Sequence, residues 1–362
     1  MPSARTNMIL IAALLIGVFA SARLAHGFTY LFAGESNGID LVTHPMGYAG
    51  VGSALHIRVG IDNTSVFAHQ MRAPTQRAIA TWNSLVPTTS NLQANAIAGY
   101  DFESTVLHEL GHAIGLGHPN LASESGLLGA DRNYTRSTDG ADNAYDLNPG
   151  PDGVIGSHDD LRGDDVNLHW FHKASNDPFN PAHALGTVDA TTYSRALVDL
   201  PVGDSFATNA ERWVSILPRY SAAGTEAVMQ QGSVYGETQR TLAADDVAGI
   251  KYAMAGLDEI AGTADDYTLN LHFNGLVAPD DTNTDIILGF DNTAATYAAT
   301  SVQGALVASS NHAVITSAAI AFNTNFDWVF SDAAIPAPAA LALGLPALVL
   351  VIIRHRRRSR SV

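Results

Sequence analysis

The chain predicts an α+β protein. It would hold a twisted sheet, one helix rich in histidine and a closing helix, with a long loop-rich insertion between the two helices and a β-rich segment after them. Three observations predict it. Leu55-His56-Ile57-Arg58-Val59-Gly60-Ile61-Asp62 alternates largely apolar and polar residues with the period of a strand. His108 to His118 reads H-E-x-x-H-x-x-G-x-x-H, so His108 and His112 fall four residues apart and project from one helix face. Beyond residue 267, short apolar runs such as Asp285-Ile286-Ile287-Leu288 alternate with Gly, Asp and Asn turns and read as strands.

Composition narrows the partners. A length of 362 residues allows one large domain or two ordinary ones, and 46% hydrophobic residues are enough for a core. A net charge of −16 argues against nucleic acid as a partner and suits Ca²⁺ instead. There are no cysteines, which excludes a disulfide frame, a thiolate metal ligand and a thiol nucleophile.

The N-terminus, residues 1–27, has the layout of a secretion signal. Arg5 supplies the charge, Met8 to Ala20 the apolar run and Ala25-His26-Gly27 a small-residue cleavage site, so the mature chain is expected to begin near Phe28. Pro74 is expected to open a helix over Thr75 to Leu85 that puts Ile79 and Trp82 on one face. Asp101-Phe102-Glu103-Ser104 leads into the histidine helix, with Ser104 as its expected cap and acidic residues at its positive end. Val106, Leu107, Leu110, Ala113 and Ile114 form that helix's apolar side.

Histidines on a helix are ordinarily polar surface or satisfied core residues. Here three histidines, a glutamate and a glycine share fixed offsets, which points to a metal. Two imidazoles on one face bind a single Zn²⁺ at about 2.0–2.1 Å each. Gly115 permits the turn that brings His118 back as third ligand, and three protein ligands leave one position open, as catalytic zinc requires. Glu109, beside the first ligand, is placed to take a proton from water.

This stretch resembles the zinc signature of the metzincin metallopeptidases, and its wording, HELGHAIGLGH, is most similar to the matrixin branch. The resemblance implies a metzincin-like zincin catalytic domain over residues 28–256. It further implies Zn²⁺ held by His108, His112 and His118, Glu109 as catalytic base, and a protein or peptide substrate. The Trp82 helix extends it. So does Met229, the candidate for the methionine turn beneath the zinc, which follows Ala222-Ala223-Gly224. Leu242-x-x-Asp245-Asp246-Val247-x-Gly249-Ile250 resembles the last matrixin helix. Gln231 stands two residues after Met229, so the tyrosine ligand of the astacin and serralysin branches is missing; Tyr235 is the nearest candidate for a specificity or transition-state role. The lack of cysteine excludes a cysteine-switch propeptide. Trp82 and His108 lie too close in sequence for the several strands, cleft edge included, that matrixins place between them.

Residues 119–217, rich in Gly, Asp, Asn and Pro, read as an insertion. Inside it, Asp146, Asn148, Asp152, Asp159 and Asp160 are spaced as oxygen ligands around glycines, and a partial repeat brings Asp258, Asp265 and Asp266. Both sets are candidates for Ca²⁺ and read equally as solvated acidic turns. In the β-rich segment 257–332, Ala319-Ile320-Ala321-Phe322-Asn323 resembles the cleft-edge strand of matrixins. The segment either supplies the strands missing before His108 or forms a separate small β module, and the separate module is the slightly preferred expectation.

Residues 333–362 carry an uncharged run, Ala333 to Ile353, about long enough to cross a bilayer, then Arg354-His355-Arg356-Arg357-Arg358 as a positive-inside stop. With Ile335-Pro336-Ala337-Pro338 they resemble a PEP-CTERM sorting signal that lacks its usual glutamate; a plain tail anchor is the other reading. The resemblance implies export across the inner membrane of a Gram-negative bacterium. It also implies membrane attachment by the C-terminal helix, an exosortase-like processing enzyme, and residence in the envelope, at the surface or outside the cell. The functional expectation is a secreted or surface-attached zinc endopeptidase. The alternative is a calcium-stabilised matrix or adhesion protein on a degenerate metallopeptidase scaffold, against which the intact Glu109 argues.

Overall fold

Strands β1 (Val42–His44) and β2 (Ser53–Asp62) are followed by helix α1 (Ala68–Ser84), the short strands β3 (Leu92–Gln93) and β4 (Tyr100–Asp101), and helix α2 (Phe102–Ala113). Next come β5 (Phe171–His172), β6 (Tyr193–Ser194), β7 (Thr238–Gln239) and helix α3 (Ala244–Met254). Five strands follow: β8 (Tyr267–Val277), β9 (Ile286–Phe290), β10 (Ala298–Leu306), β11 (His312–Phe322) and β12 (Trp328–Val329). The computed structural model describes residues 28–33, 41–93, 95–118, 170–173, 186–194, 227–229, 235–292, 296–308 and 310–331. The signal-like residues 1–27, most of the insertion with its Asp146, Asn148, Asp152, Asp159 and Asp160, Gln231, and residues 333–362 lie outside them. The described residues all fall in one compact unit. Among the described residues no helix is long and apolar enough to cross a membrane.

The main sheet runs β1-β11-β9-β2-β8, with β10 on the other flank of β11. Every pairing in it is parallel except β10 with β11. The segment after residue 256 is therefore not a separate module. β8 and β9 enclose β2 on its two flanks. The physical reason lies in β2. Its Leu55, Ile57, Val59 and Ile61 are all buried, and both of its edges need partners. Between α1 and α2 the chain offers only the two-residue β3 and β4, which pair with β7 and β12 instead.

A second expectation is corrected with the first. Ala319 to Phe322 belong to β11, an interior strand, and the edge beside the histidine helix is β10. One bulge sets β11's facing: Gln303 lies opposite Ser317 but Gly304 opposite Ile315, so Thr316 is an extra residue. The buried set accordingly switches from Ala313 and Ile315 to Ala318, Ile320 and Phe322.

Helix α1 lies over β2 and β8, and α2 over β10 and β11. Pro74 does not open α1; the helix starts at Ala68 and Pro74 sits buried within it. The first turn is held from Ser65 and Phe67, whose carbonyls accept from Ala68 and Met71 at 3.2 and 3.0 Å, and Met71 is fully buried. That packing outweighs the backbone donor lost at proline. Trp82, fully buried, donates from Nε1 to the Leu107 carbonyl at 2.8 Å and so ties α1 to α2.

Across β1 and β11, two buried imidazoles meet: His44 Nε2 lies 2.8 Å from His312 Nδ1. Burial, then the neighbouring His312, lowers His44 to about 3, and burial lowers His312 as well against the pull of Glu259. Both rings are neutral in the fold and accept a proton readily once exposed, so below about pH 6.5 the unfolded chain binds more protons. Their contribution is complete above about pH 6.5 and is lost as the pH falls toward 3. Thermal melts at pH 7.5 and 4.5 are expected to differ by about 3 kcal/mol through this pair. His44→Gln, which cannot titrate, is expected to show a flatter dependence. An identical pH slope in the variant would remove the pair from the account.

Candidate metal centre

The helix that carries the histidines is fixed at both ends. Its cap is Asp101, not Ser104: the Asp101 carboxylate accepts from the Ser104 backbone N–H at 3.0 Å and from its hydroxyl at 2.5 Å. Arg240 forks onto the same carboxylate at 2.6 and 2.8 Å, and Arg77 donates to buried Glu103 at 2.7 Å. Val106, Leu107, Leu110, Ala113 and Ile114 are all buried beneath it. At the far end Gly115 takes φ +117°, and a β-carbon there would sit 2.6 Å from the Thr43 carbonyl oxygen, so only glycine fits. The chain reverses at this point, with Leu116 N–H donating to the Gly111 carbonyl at 2.9 Å and Gly117 N–H to that of Thr29 at 2.9 Å. His118 returns to face the helix.

Three nitrogens converge. His108 Nε2 is 3.1 Å from His112 Nε2, and His118 Nε2 is 3.0 Å from each. The opposite ring nitrogens determine what these atoms are. His108 Nδ1 donates to the Val228 carbonyl at 2.6 Å and His112 Nδ1 to the Leu116 carbonyl at 2.8 Å. A carbonyl only accepts, so each ring keeps its proton on Nδ1 and turns a bare lone pair inward from Nε2. A hydrogen on His118 Nε2 could bridge to one of them, not to both. Protonation is no remedy: burial, then His108, lowers His112 to about 3, and burial with the two neighbouring rings holds His118 well below the usual histidine value. Lone pairs crowded this way call for a cation. Three nitrogens tetrahedral about an ion at about 2.0–2.1 Å stand about 3.3 Å apart, so the cluster fits one with little adjustment. Among the described residues this is the one group of histidine and carboxylate side chains close enough to share an ion.

Glu109 is buried, and Thr300, on the edge strand β10, donates its hydroxyl to Oε2 at 2.5 Å. The same hydroxyl also lies 3.1 Å from the Glu109 backbone carbonyl. Burial raises the carboxyl's pKa, and His108 and the Thr300 hydroxyl moderate that rise. A carboxylate moved toward neutrality is a better-matched base at neutral pH.

Met229 is buried directly against the helix between the first two histidines. A β-carbon added at Gly111 would overlap its Sδ and press on Trp82 at 3.0 Å. Gly111→Ala is accordingly expected to cost about 1–3 kcal/mol in denaturant unfolding. Unchanged stability would mean that Met229 does not lie there. The turn itself hangs on Asp246 at the start of α3. Its buried carboxylate accepts from Val228 N–H at 2.9 Å, Met229 N–H at 3.0 Å and Ala243 N–H at 2.8 Å. Burial raises its pKa to about 6 although all three amides favour the charged form. The peptide unit between Val228 and Met229 thus bonds Asp246 through its N–H and His108 through its carbonyl, so the carboxylate helps orient one ring of the candidate centre.

The acidic turn after α3 is tied together by its own carboxylates. Asp265 accepts from the Leu257 and Asp258 amides at 2.6 and 3.2 Å, Asp258 from Ile260 at 2.9 Å and Asp266 from Gly262 at 2.6 Å. Asp258, Asp265 and Asp266 serve as turn-forming acceptors, and all three also meet the Thr263 hydroxyl, at 3.2, 2.7 and 3.1 Å. Sequence reasoning missed Thr300, the Val228 carbonyl and the specific duty of Asp246. Only Asp246 carried a signal, as a carboxylate in a helix's first turn.

Comparison with family models, with curated proteins and with solved structures finds no significant match for this chain.

Proposed function

We propose that the protein is a secreted or surface-attached zinc endopeptidase. The observation that carries the reading is the convergence of three imidazole nitrogens beside a buried glutamate that an edge strand holds in place. His108, His112 and His118 would hold the ion, and imidazole nitrogen suits zinc among the divalent metals. Zinc held there supplies Lewis acidity, polarising a carbonyl and lowering the pKa of water toward about 7. Glu109 takes the proton of the attacking water on its carboxylate and passes it to the departing amine nitrogen. Thr300 keeps that carboxylate aimed by its hydroxyl bond. β10, which among the described residues pairs only with β11, leaves its other edge for an extended peptide to lie along. Export by residues 1–27 and attachment by residues 333–362 belong to the same proposal, on the residue patterns given above.

The test is zinc content together with casein or gelatin cleavage by the purified protein. About one zinc per chain is expected, with cleavage abolished by a chelator and restored by Zn²⁺. Cleavage that survives complete metal removal would overturn the reading.

A further inference from the structure

Five aromatic side chains from four separate stretches of chain meet beside the start of the histidine helix and of β10. Tyr100 stacks on Tyr297 with ring centres 5.4 Å apart and planes 17° from parallel. Tyr235 and Phe326 meet Tyr100 edge-on at 5.7 and 5.4 Å. Trp328 closes the group, 6.2 Å from Tyr100 and 6.4 Å from Tyr297, and carries it inward to buried Phe102 and Phe322. The inner end of this column is ordinary core. The outer end is not: Tyr235 is 50% exposed and Tyr100, Tyr297, Phe326 and Trp328 are only half-buried. Exposed clusters of large aromatics are uncommon on a protein surface and mark binding surfaces.

Their position in the fold says what reaches them. Tyr100 immediately precedes Asp101, the cap of the histidine helix, and Tyr297 immediately precedes β10. Thr300, which holds Glu109, lies three positions further along, at most about 10 Å away at strand rise. A chain extended along β10 with its reacting carbonyl at Glu109 would pass Tyr297 two or three residues from that bond.

We propose that this platform is a subsite for an aromatic side chain of the substrate, two or three residues from the cleaved bond. The proposal rests on the peptidase reading and names the substrate class for that site. Ring-on-ring contact favours an aromatic over a small or charged residue by about three- to tenfold.

The test uses a series of fluorogenic peptides that differ at one position, carrying Trp, Tyr, Ala or Glu at each of three places on either side of the bond. Cleavage by the zinc-loaded protein is mapped by mass spectrometry. Binding of the same peptides to Glu109→Gln is measured by calorimetry. A three- to tenfold aromatic preference at one such position is expected in both assays, and which side it falls on gives the direction of the chain along β10. Tyr297→Ala and Tyr235→Ala should bring the ratio toward one, while Tyr297→Phe, which keeps the ring, should retain it. Equal binding of aromatic and alanine peptides by Glu109→Gln overturns the subsite, and so does a preference that survives both alanine variants. Failure of the zinc-loaded protein to cleave any peptide removes the peptidase reading instead, and the binding ratio then decides the platform by itself.

Discussion

Glu109→Gln is expected to keep its zinc and lose about 10²- to 10⁴-fold in kcat. Glutamine has the same shape, and its amide oxygen can still accept the Thr300 hydroxyl that now reaches Oε2 at 2.5 Å. What it lacks is a site for a proton. Metal retention follows from the ring partners: His108 is oriented by the Val228 carbonyl and His112 by that of Leu116, and neither bond involves Glu109. Zinc by elemental analysis and steady-state cleavage by the same preparation separate the two properties. Wild-type turnover in the variant would show that the base lies elsewhere. Loss of zinc along with turnover would mean that the carboxylate supports the ion directly.

A chain that stops at Asp258 is expected not to fold. It keeps the three histidines, Met229 and the closing helix, which is everything the motif contains. It loses β8, β9, β10 and β11, and the two sheet strands left, β1 and β2, are not neighbours: the order between them runs through β11 and β9. Leu55, Ile57, Val59 and Ile61 of β2 would face water along with both of its unpaired edges. Phe102, at the start of α2, would lose Phe290, Phe322 and Phe330. The expected readout is no cooperative thermal transition, rapid exchange of the α2 amides and no stoichiometric zinc. A folded, active 258-residue fragment would refute the placement of these strands.

Much of the site was legible because its rules are local. The helical repeat alone puts His108 and His112 on one face, a glycine at the helix end announces the turn, and the alternation in Leu55 to Asp62 and the apolar run in Asp285 to Leu288 announce strands. Local reading also erred at short range. Residue type suggests Ser104 as the cap, although Asp101 has the carboxylate that reaches the helix's first amides. Pro74 suggests a helix start, although buried Met71 draws the helix back past it. These are competitions between a local preference and packing, and packing prevailed.

By itself the sequence determined the three histidines of the candidate centre, the glutamate beside them and the helix that carries them. The tertiary structure alone decided which strands pair, which one is the edge and which hydroxyl holds the glutamate. The reason is the range of the interactions. A strand's alternation specifies which side is buried but not which partner lies beside it, and β2 finds β8 more than 200 residues downstream. Thr300 stands 191 residues from Glu109, in a strand where a threonine is unremarkable until the fold brings it to the carboxylate.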